Sequence, residues 1–243
     1  IRAWSDRMEP SPTGRVIVTL ACEALTYIAI GAVMMTALAK PAFRAVNEDQ
    51  WLKAQELSVT FIDQTGAVIG RRGILHSKLV PVEDLPEHLV KAALATEDRR
   101  FYEHFGIDPS GLVRALAANA RANGVVQGGS TLTQQLAKNL FLNNERSIER
   151  KIKEAFLALW LEARLSKQEI LKLYLDRAYL GNGVFGVQSA ADHYFGKDVR
   201  DLTLAESAMI AGLFKAPSKY SPTVNLPAAR ARAADVLSNM VEA

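Results

Sequence analysis

The chain has 243 residues, enough for one sizeable domain or a smaller one with an anchor, and it carries 29 Lys+Arg against 26 Asp+Glu for a net charge of +3. That mild excess, with no basic stripe interleaved with aromatics, argues against nucleic acid as a partner. The single cysteine, Cys22, excludes an intrachain disulfide, and four scattered histidines with no metal-ligand spacing argue against a zinc site.

Residues 1–15 are polar and include Arg2, Arg7 and Arg15. Residues 16–39 then read VIVTLACEALTYIAIGAVMMTALA, with one charge at Glu23. At about 1.5 Å per residue such a helix spans a hydrocarbon core of about 30 Å, so a membrane span is expected. A buried helix of a soluble domain is the alternative, because Glu23 is costly in lipid. A cleaved signal is disfavoured, since the apolar run is too long and no cleavage pattern follows. Arginines before the run are nearly balanced by Lys40, Arg44 and Lys53 after it, so charge bias indicates orientation only weakly. Residues 40–57 read as a helical connector, and 58–69 as a β-hairpin around Gly66. A chain that starts on Ile is expected to be a piece of something longer.

After Pro86 every element is expected to be helical. Pro86 suits a first helical turn, and Val90, Leu94 and Phe101 return to one face of a 3.6-residue period. Glu97 falls on that same face. A carboxylate there is either a buried partner of Arg99 or Arg100, or a partly desolvated group whose pKa is raised toward general-base use. Asp108 is a predicted cap, with Pro109 first in a helix running to about Ala122. Thr131…Gln134, Ser166…Glu169 and Thr203…Glu206 are three predicted capping boxes.

Gly128-Gly129-Ser130-Thr131 precedes a helix on which Gln134, Gln135, Lys138 and Asn139 are expected to share a polar face. Free N–H groups at such a helix start seat anions, although an ordinary loop and solvated face would read alike. Arg146, Arg150 and Glu154 are spaced by four beside Lys151, with Ile152, Phe156 and Leu159 expected on the opposite, core-facing side. These charges are either surface pairs worth about 0.3–0.5 kcal/mol each or a cluster suited to pyrophosphate. Gly181-Asn182-Gly183-Val184-Phe185-Gly186 matches GxGxxG, but a helix rather than a strand precedes it, so a dinucleotide site is rejected. There is no Asp-x-Asp pair, and neither Ser-x-x-Lys nor Gly-x-Ser-x-Gly occurs.

Taken together, residues 97–106, 128–139, 150–154, 170–186 and 204–222 resemble the five ordered motifs of the peptidoglycan glycosyltransferase family. This is the transglycosylase domain of class A penicillin-binding proteins and monofunctional transglycosylases. Asp176 and Phe214 depart from the family's commoner Asn and Pro, and neither position is one expected to do chemistry. The resemblance implies a mainly α, lysozyme-like domain with a large lobe and a membrane-proximal jaw lobe. It implies polymerisation of lipid II with inversion at MurNAc C1 and loss of polyprenyl pyrophosphate.

By that resemblance Glu97 is the general base and Glu154 the second carboxylate, which orients the basic cluster or helps hold a divalent ion, Mg or Mn, none being obligatory. Lys138, Arg146, Arg150 and Lys151 would stabilise the pyrophosphate. Ser130, Thr131, Gln134, Gln135 and Asn139 would line the donor site, and Asp98 and Arg100 would flank the base. Implied partners are lipid II, the growing glycan chain and membrane lipid. Phe105-Gly106-Ile107 or Val125-Val126 would dip into the interface.

The expected division is a cytoplasmic segment 1–15, a span 16–39, a connector with hairpin 40–85 and a catalytic domain 86–243 on the outer, periplasmic side of the inner membrane. The chain is expected to be the front part of a bifunctional protein with a transpeptidase beyond Ala243, a monofunctional enzyme being the alternative. The rival readings are a lysozyme-like hydrolase, which would need an acid for a sugar leaving group, and an inactive membrane scaffold.

Overall fold

The structure is a computed structural model and describes residues 12–44, 58–66, 68–73, 75–76, 80–122, 124, 128–142 and 147–243. Helix α1, Pro12–Arg44, contains the apolar run and lies alongside helix α5 (Ile148–Glu162). Val16, Leu20, Leu25, Tyr27, Ile28 and Val33 on it are all exposed. Within the run, the Thr26 and Thr36 hydroxyls donate to the carbonyls of Cys22 and Ala32, which satisfies both hydroxyls inside the helix. Among the described residues no helix is long and apolar enough to cross a membrane, so the span expected over 16–39 is a helix here but is not shown as a span. The connector expected over 40–57 falls mostly outside the described residues, α1 ending at Arg44.

Strands β1 (Ser58–Ile62) and β2 (Val68–Gly73) form the expected antiparallel hairpin, with Ser58 opposite Gly73 and an irregularity between Phe61 and Ile62. Its turn is set by Asp63, whose carboxylate accepts the Thr65 N–H at 2.8 Å and hydroxyl at 2.7 Å. One feature departs from an all-helical remainder. Strand β3 (Leu75–His76) pairs in parallel with β4 (Val184–Phe185), deep in the helical sequence. The glycine-rich stretch is therefore a tight turn leading into and out of β4. Gly181, Asn182, Gly183 and Gly186 all have positive φ, and a Cβ on Gly186 would sit 2.5 Å from the Asp176 carbonyl oxygen.

The helices are α2 (Glu87–Glu97), α3 (Pro109–Arg121), α4 (Leu132–Phe141), α5, α6 (Lys167–Arg177), α7 (Val187–Phe195), α8 (Leu204–Leu213) and α9 (Leu226–Glu242). All three predicted capping boxes form, at α4, α6 and α8, each side chain and backbone satisfying the other. Asp108 and Pro109 start α3, as the spacing predicts.

Two packing groups result. Leu132, Leu136, Leu157, Leu161, Ile170, Leu171 and Leu175 build a leucine-rich core for α4, α5 and α6. Ala92, Ala208, Ala211, Ala233 and Val236 let α2, α8 and α9 approach closely.

The helical phases correct three expectations. In α2 the buried residues are Leu89, Ala92, Ala93 and Ala95, while Val90 and Leu94 are only half-buried; Pro86 caps the helix rather than opening it. The helix stops at Glu97, because Asp98 turns extended at φ −160°, and Phe101 reaches the core from the following turn at 1% exposure. In α5 the buried face is Glu154, Leu157, Ala158 and Leu161, whereas Ile152 and Phe156 are half-buried and Leu159 is exposed. The carboxylate therefore lies on the core side, opposite to the expectation. In α4, Gln134 is buried and Asn139 exposed, so the four polar residues do not share one face.

Candidate active site

A cleft of about 910 Å³ runs between the two packing groups. The last turn of α2 contributes Glu97, α3 contributes Arg114, the segment before α4 contributes Gly129, Ser130 and Thr131, and α4 itself contributes Gln135 and Lys138. The far wall is Lys215, just after α8, and the α9 face carrying Arg232, Asp235 and Asn239.

Glu97 ends a helix whose other inward residues are alanines and a leucine, so its carboxyl is crowded by protein on the side away from the cleft. Burial raises its pKa above the ordinary carboxylate value. A hydrogen bond from Gln135 and the positive charges of Arg232, Lys215 and Lys138 pull the other way without cancelling it. Gln135 Nε2 donates to Glu97 Oε2 at 2.8 Å, and Gln135 Oε1 accepts from the Tyr174 hydroxyl at 3.2 Å. Burial pushes the Tyr174 phenol well above its usual value, which keeps it a donor. A carboxylate held this way, open to the cleft and facing three cations, is equipped to take a proton from a substrate hydroxyl.

Most residues singled out in the sequence fall among the described residues. Lys138, Gln135, Ser130 and Thr131 line the cleft with Glu97. Asp98 borders it, but its carboxylate is buried and committed: it accepts the Leu132 N–H at 2.9 Å and bonds the His104 ring at 3.0 Å. It therefore holds the start of α4 in place. Arg100 is turned toward Glu103, Asp108 and Ser110. Gln134 closes the Thr131 capping box, and Asn139 is exposed away from the cleft lining. Thr131 also donates to the Gly106 carbonyl at 2.6 Å.

Glu154 is 3% exposed and paired through Oε1 with Arg150 at 3.1 Å and through Oε2 with Lys151 at 2.6 Å. Lys151 in turn donates to Ser130 at 2.6 Å, which links this pair to the cleft rim. Arg146, Val125 and Val126 lie outside the described residues, and α5 begins at Ile148 with Ser147 as its cap, so the expected stack by fours holds only for Arg150 and Glu154. Both Glu154 oxygens being taken by cations, a divalent ion would have to displace them, and these residues do not fit one. Among the described residues no group of three His, Cys, Asp or Glu side chains comes together.

Arg114, Lys215 and Arg232 were not among the expected site residues. Arg232 had a readable signal, since it shares the buried stripe of Ala229, Ala233 and Val236 on α9, a cation where an apolar residue belongs.

Comparison with known proteins now decides the family: the family described as Transglycosylase matches residues 65–241. The chain belongs to the transglycosylase family. It is 49% identical over 194 residues to penicillin-binding protein 1A of Aquifex aeolicus (strain VF5), covering 80% of this chain and 26% of that protein. It is 49% identical over 187 residues to penicillin-binding protein 1A of Neisseria flavescens, covering 77% and 23%. A crystal structure of penicillin-binding protein 1A from Haemophilus influenzae is 28% identical and covers 78% of this chain and 19% of that one, with a TM-score of 0.45. The chain thus spans about a quarter of the length of the curated relatives it matches. Membership of the transglycosylase family bears out the resemblance read from the five motifs, and the mainly helical architecture agrees with it.

Proposed function

We propose that this transglycosylase domain polymerises lipid II, with Glu97 as the base. The observation that carries the proposal is a carboxylate of raised pKa opening into a cleft it shares with Lys138, Arg114, Lys215 and Arg232. Glu97 takes the proton of the acceptor's GlcNAc 4-hydroxyl as that oxygen attacks MurNAc C1 from the face opposite the leaving group. The C1–O bond to the polyprenyl pyrophosphate breaks, and the configuration inverts. Charge building on the pyrophosphate meets lysine and arginine side chains, and one well-placed donor is worth about 2.7–4 kcal/mol in such a setting. A pyrophosphate needs no acid to leave, so one base and a cationic wall suffice, whereas hydrolysis of a glycan would require a second, protonated carboxyl. The buried Glu154, held by two cations, is not placed for that task.

Exposed Tyr102, Phe105, Val113 and Leu116 on the loop after α2 and on α3, together with the exposed apolar face of α1, would meet a lipid surface on the outer side of the inner membrane, as a jaw lobe does. A transpeptidase following this domain belongs to the same proposal, supported by the chain's spanning only about a quarter of the length of those relatives.

Incubation with labelled lipid II in detergent tests the chemistry. Polymer with released polyprenyl pyrophosphate is the expected product. Absence of polymer, with shortened glycan from intact sacculi, would establish the hydrolase instead. Recovery in the membrane fraction after carbonate washing is expected for the chain, and recovery in the wash would remove the lipid setting.

A further inference from the structure

Behind the cleft lies a buried ion pair to which neither the family motifs nor the proposed chemistry gives a task. Glu162, the last residue of α5, is 9% exposed overall, with its side chain at 3%. Its Oε1 accepts from Lys167 Nζ at 2.7 Å and from the Thr133 hydroxyl on α4 at 2.7 Å. Lys167, first in α6, also donates to the His104 carbonyl at 2.7 Å and stands 4.4 Å above the Phe101 ring. The bend it grips is tightly packed. Gly106 has φ +74°, and a Cβ there would meet the Ala158 backbone at 3.0 Å and the Glu162 side chain at 3.2 Å.

We infer that the Glu162–Lys167 pair is a positioning device: it locks the loop following Glu97 and the helix carrying Gln135 to one point, and so sets the Gln135–Glu97 contact. The inference rests on Glu97 being the working base, and its geometry follows from the chain itself. Thr133 precedes Gln135 by two residues on α4, so a shift of Thr133 on Glu162 is carried to the amide that donates to Glu97. The His104 carbonyl, held by Lys167, belongs to the same loop as Asp98, which follows Glu97 directly and bonds the His104 ring. One ion pair that reaches Thr133 through its carboxylate and the His104 carbonyl through its ammonium therefore fixes the donor and the acceptor of the catalytic hydrogen bond together. A bare helix-turn-helix staple would stabilise α5 against α6 without affecting Glu97.

The distinguishing measurement is the titration of the Glu97 carboxyl by carbon-13 NMR in the intact chain, which needs no lipid II. The groups that face it are Gln135 and Lys138 on α4, Lys215 after α8, Arg232 on α9 and Tyr174 on α6, and apart from Gln135 in the reference variant all are kept. Gln135→Ala, which removes the donor, is the reference, and its midpoint is expected to move upward.

Glu162→Gln and Lys167→Met are expected to move the midpoint the same way, by about 0.3 pH unit or more, with Lys167→Arg returning it toward wild type. Thr133→Val, which deletes one hydroxyl, gives a smaller upward move in a protein whose fold is least at risk. With lipid II, the first two variants lose about tenfold in kcat with KM within twofold. Midpoints at the wild-type value in folded Glu162→Gln, Lys167→Met and Thr133→Val would overturn the inference, whatever their melting temperatures. Moved midpoints in a protein that does not polymerise lipid II would sink the proposed function and leave the positioning device standing.

Discussion

Gln135 bridges Tyr174 and Glu97: the Tyr174 hydroxyl donates to its oxygen at 3.2 Å, and its nitrogen donates to Glu97 at 2.8 Å. The glutamine is thereby a sensor of the state of Glu97, bonding strongly to a carboxylate and weakly to a carboxylic acid.

Replacing it by alanine removes an interaction that lowers the Glu97 pKa, so the pKa rises further above its ordinary value. The acidic limb of the rate–pH profile reports the base becoming protonated, and it should move to higher pH in Gln135→Ala. Activity just above the wild-type limb should fall about tenfold and recover in part as the pH is raised. A limb that stays in place, followed by lipid II turnover from pH 4 to 9, would mean that Gln135 does not touch the base in solution.

Glu97→Gln should reduce polymerisation by at least about 100-fold, the lower range for a lost general base. Its effect on stability has the opposite sign. A carboxyl whose folded pKa is raised above 4.5 holds its proton more tightly in the folded chain, so folding loses stability as pH climbs from the unfolded value through the folded one. The glutamine variant is free of that loss. It should therefore melt at or above wild type at neutral pH and show no such advantage below about pH 4, which scanning calorimetry across pH will check.

Glu154→Ala leaves the half-exposed Lys151 and the more enclosed Arg150 without their shared carboxylate. Exposure of the lysine screens part of the loss, so a cost of about 1–3 kcal/mol in urea unfolding is expected. Freed from Glu154, Lys151 no longer holds Ser130 in one place, and KM for lipid II should rise with it. Glu154→Gln should recover most of the stability and less of the KM.

Gly106→Ala meets two obstacles, a positive φ of 74° and the Ala158 backbone at 3.0 Å from the new methyl. About 1–3 kcal/mol of destabilisation is expected. Gly196, also at positive φ but with nothing within 4 Å, should cost about 1 kcal/mol as alanine, and paired melting curves will separate strain from collision.

Local chemistry was the part of this fold that the sequence stated most openly. The capping boxes at Thr131, Ser166 and Thr203 and the start at Asp108–Pro109 are written in a few adjacent letters, and they form as expected. Phase was harder. A stripe through Val90, Leu94 and Phe101 presumed that α2 continues past Glu97, but the chain turns at Asp98 to deliver its carboxylate to the Leu132 N–H. On α5 the run of charges looked like a solvated face, yet Glu154 shares the stripe of Leu157 and Leu161 because Arg150 and Lys151 neutralise it there.

Of the site, Glu97, Gln135 and Lys138 were legible as a set. Lys215 was not, and Arg232 showed only as a cation on an apolar stripe, since both join the cleft only when α8 and α9 close against α2. The Glu162–Lys167 pair straddles a turn between helices, where sequence spacing carries no sign of a third partner on α4.

The short parallel ladder of Leu75–His76 with Val184–Phe185 bears on how the molecule is made. It closes a loop of roughly a hundred residues for two residues of pairing, a connection whose entropic cost is met only after the intervening helices have condensed. During synthesis the earlier strand leaves the ribosome long before its mate exists. The hairpin end of the chain should accordingly dock last and come loose first, and amide protons of Leu75 and His76 should exchange ahead of those in α4 and α5.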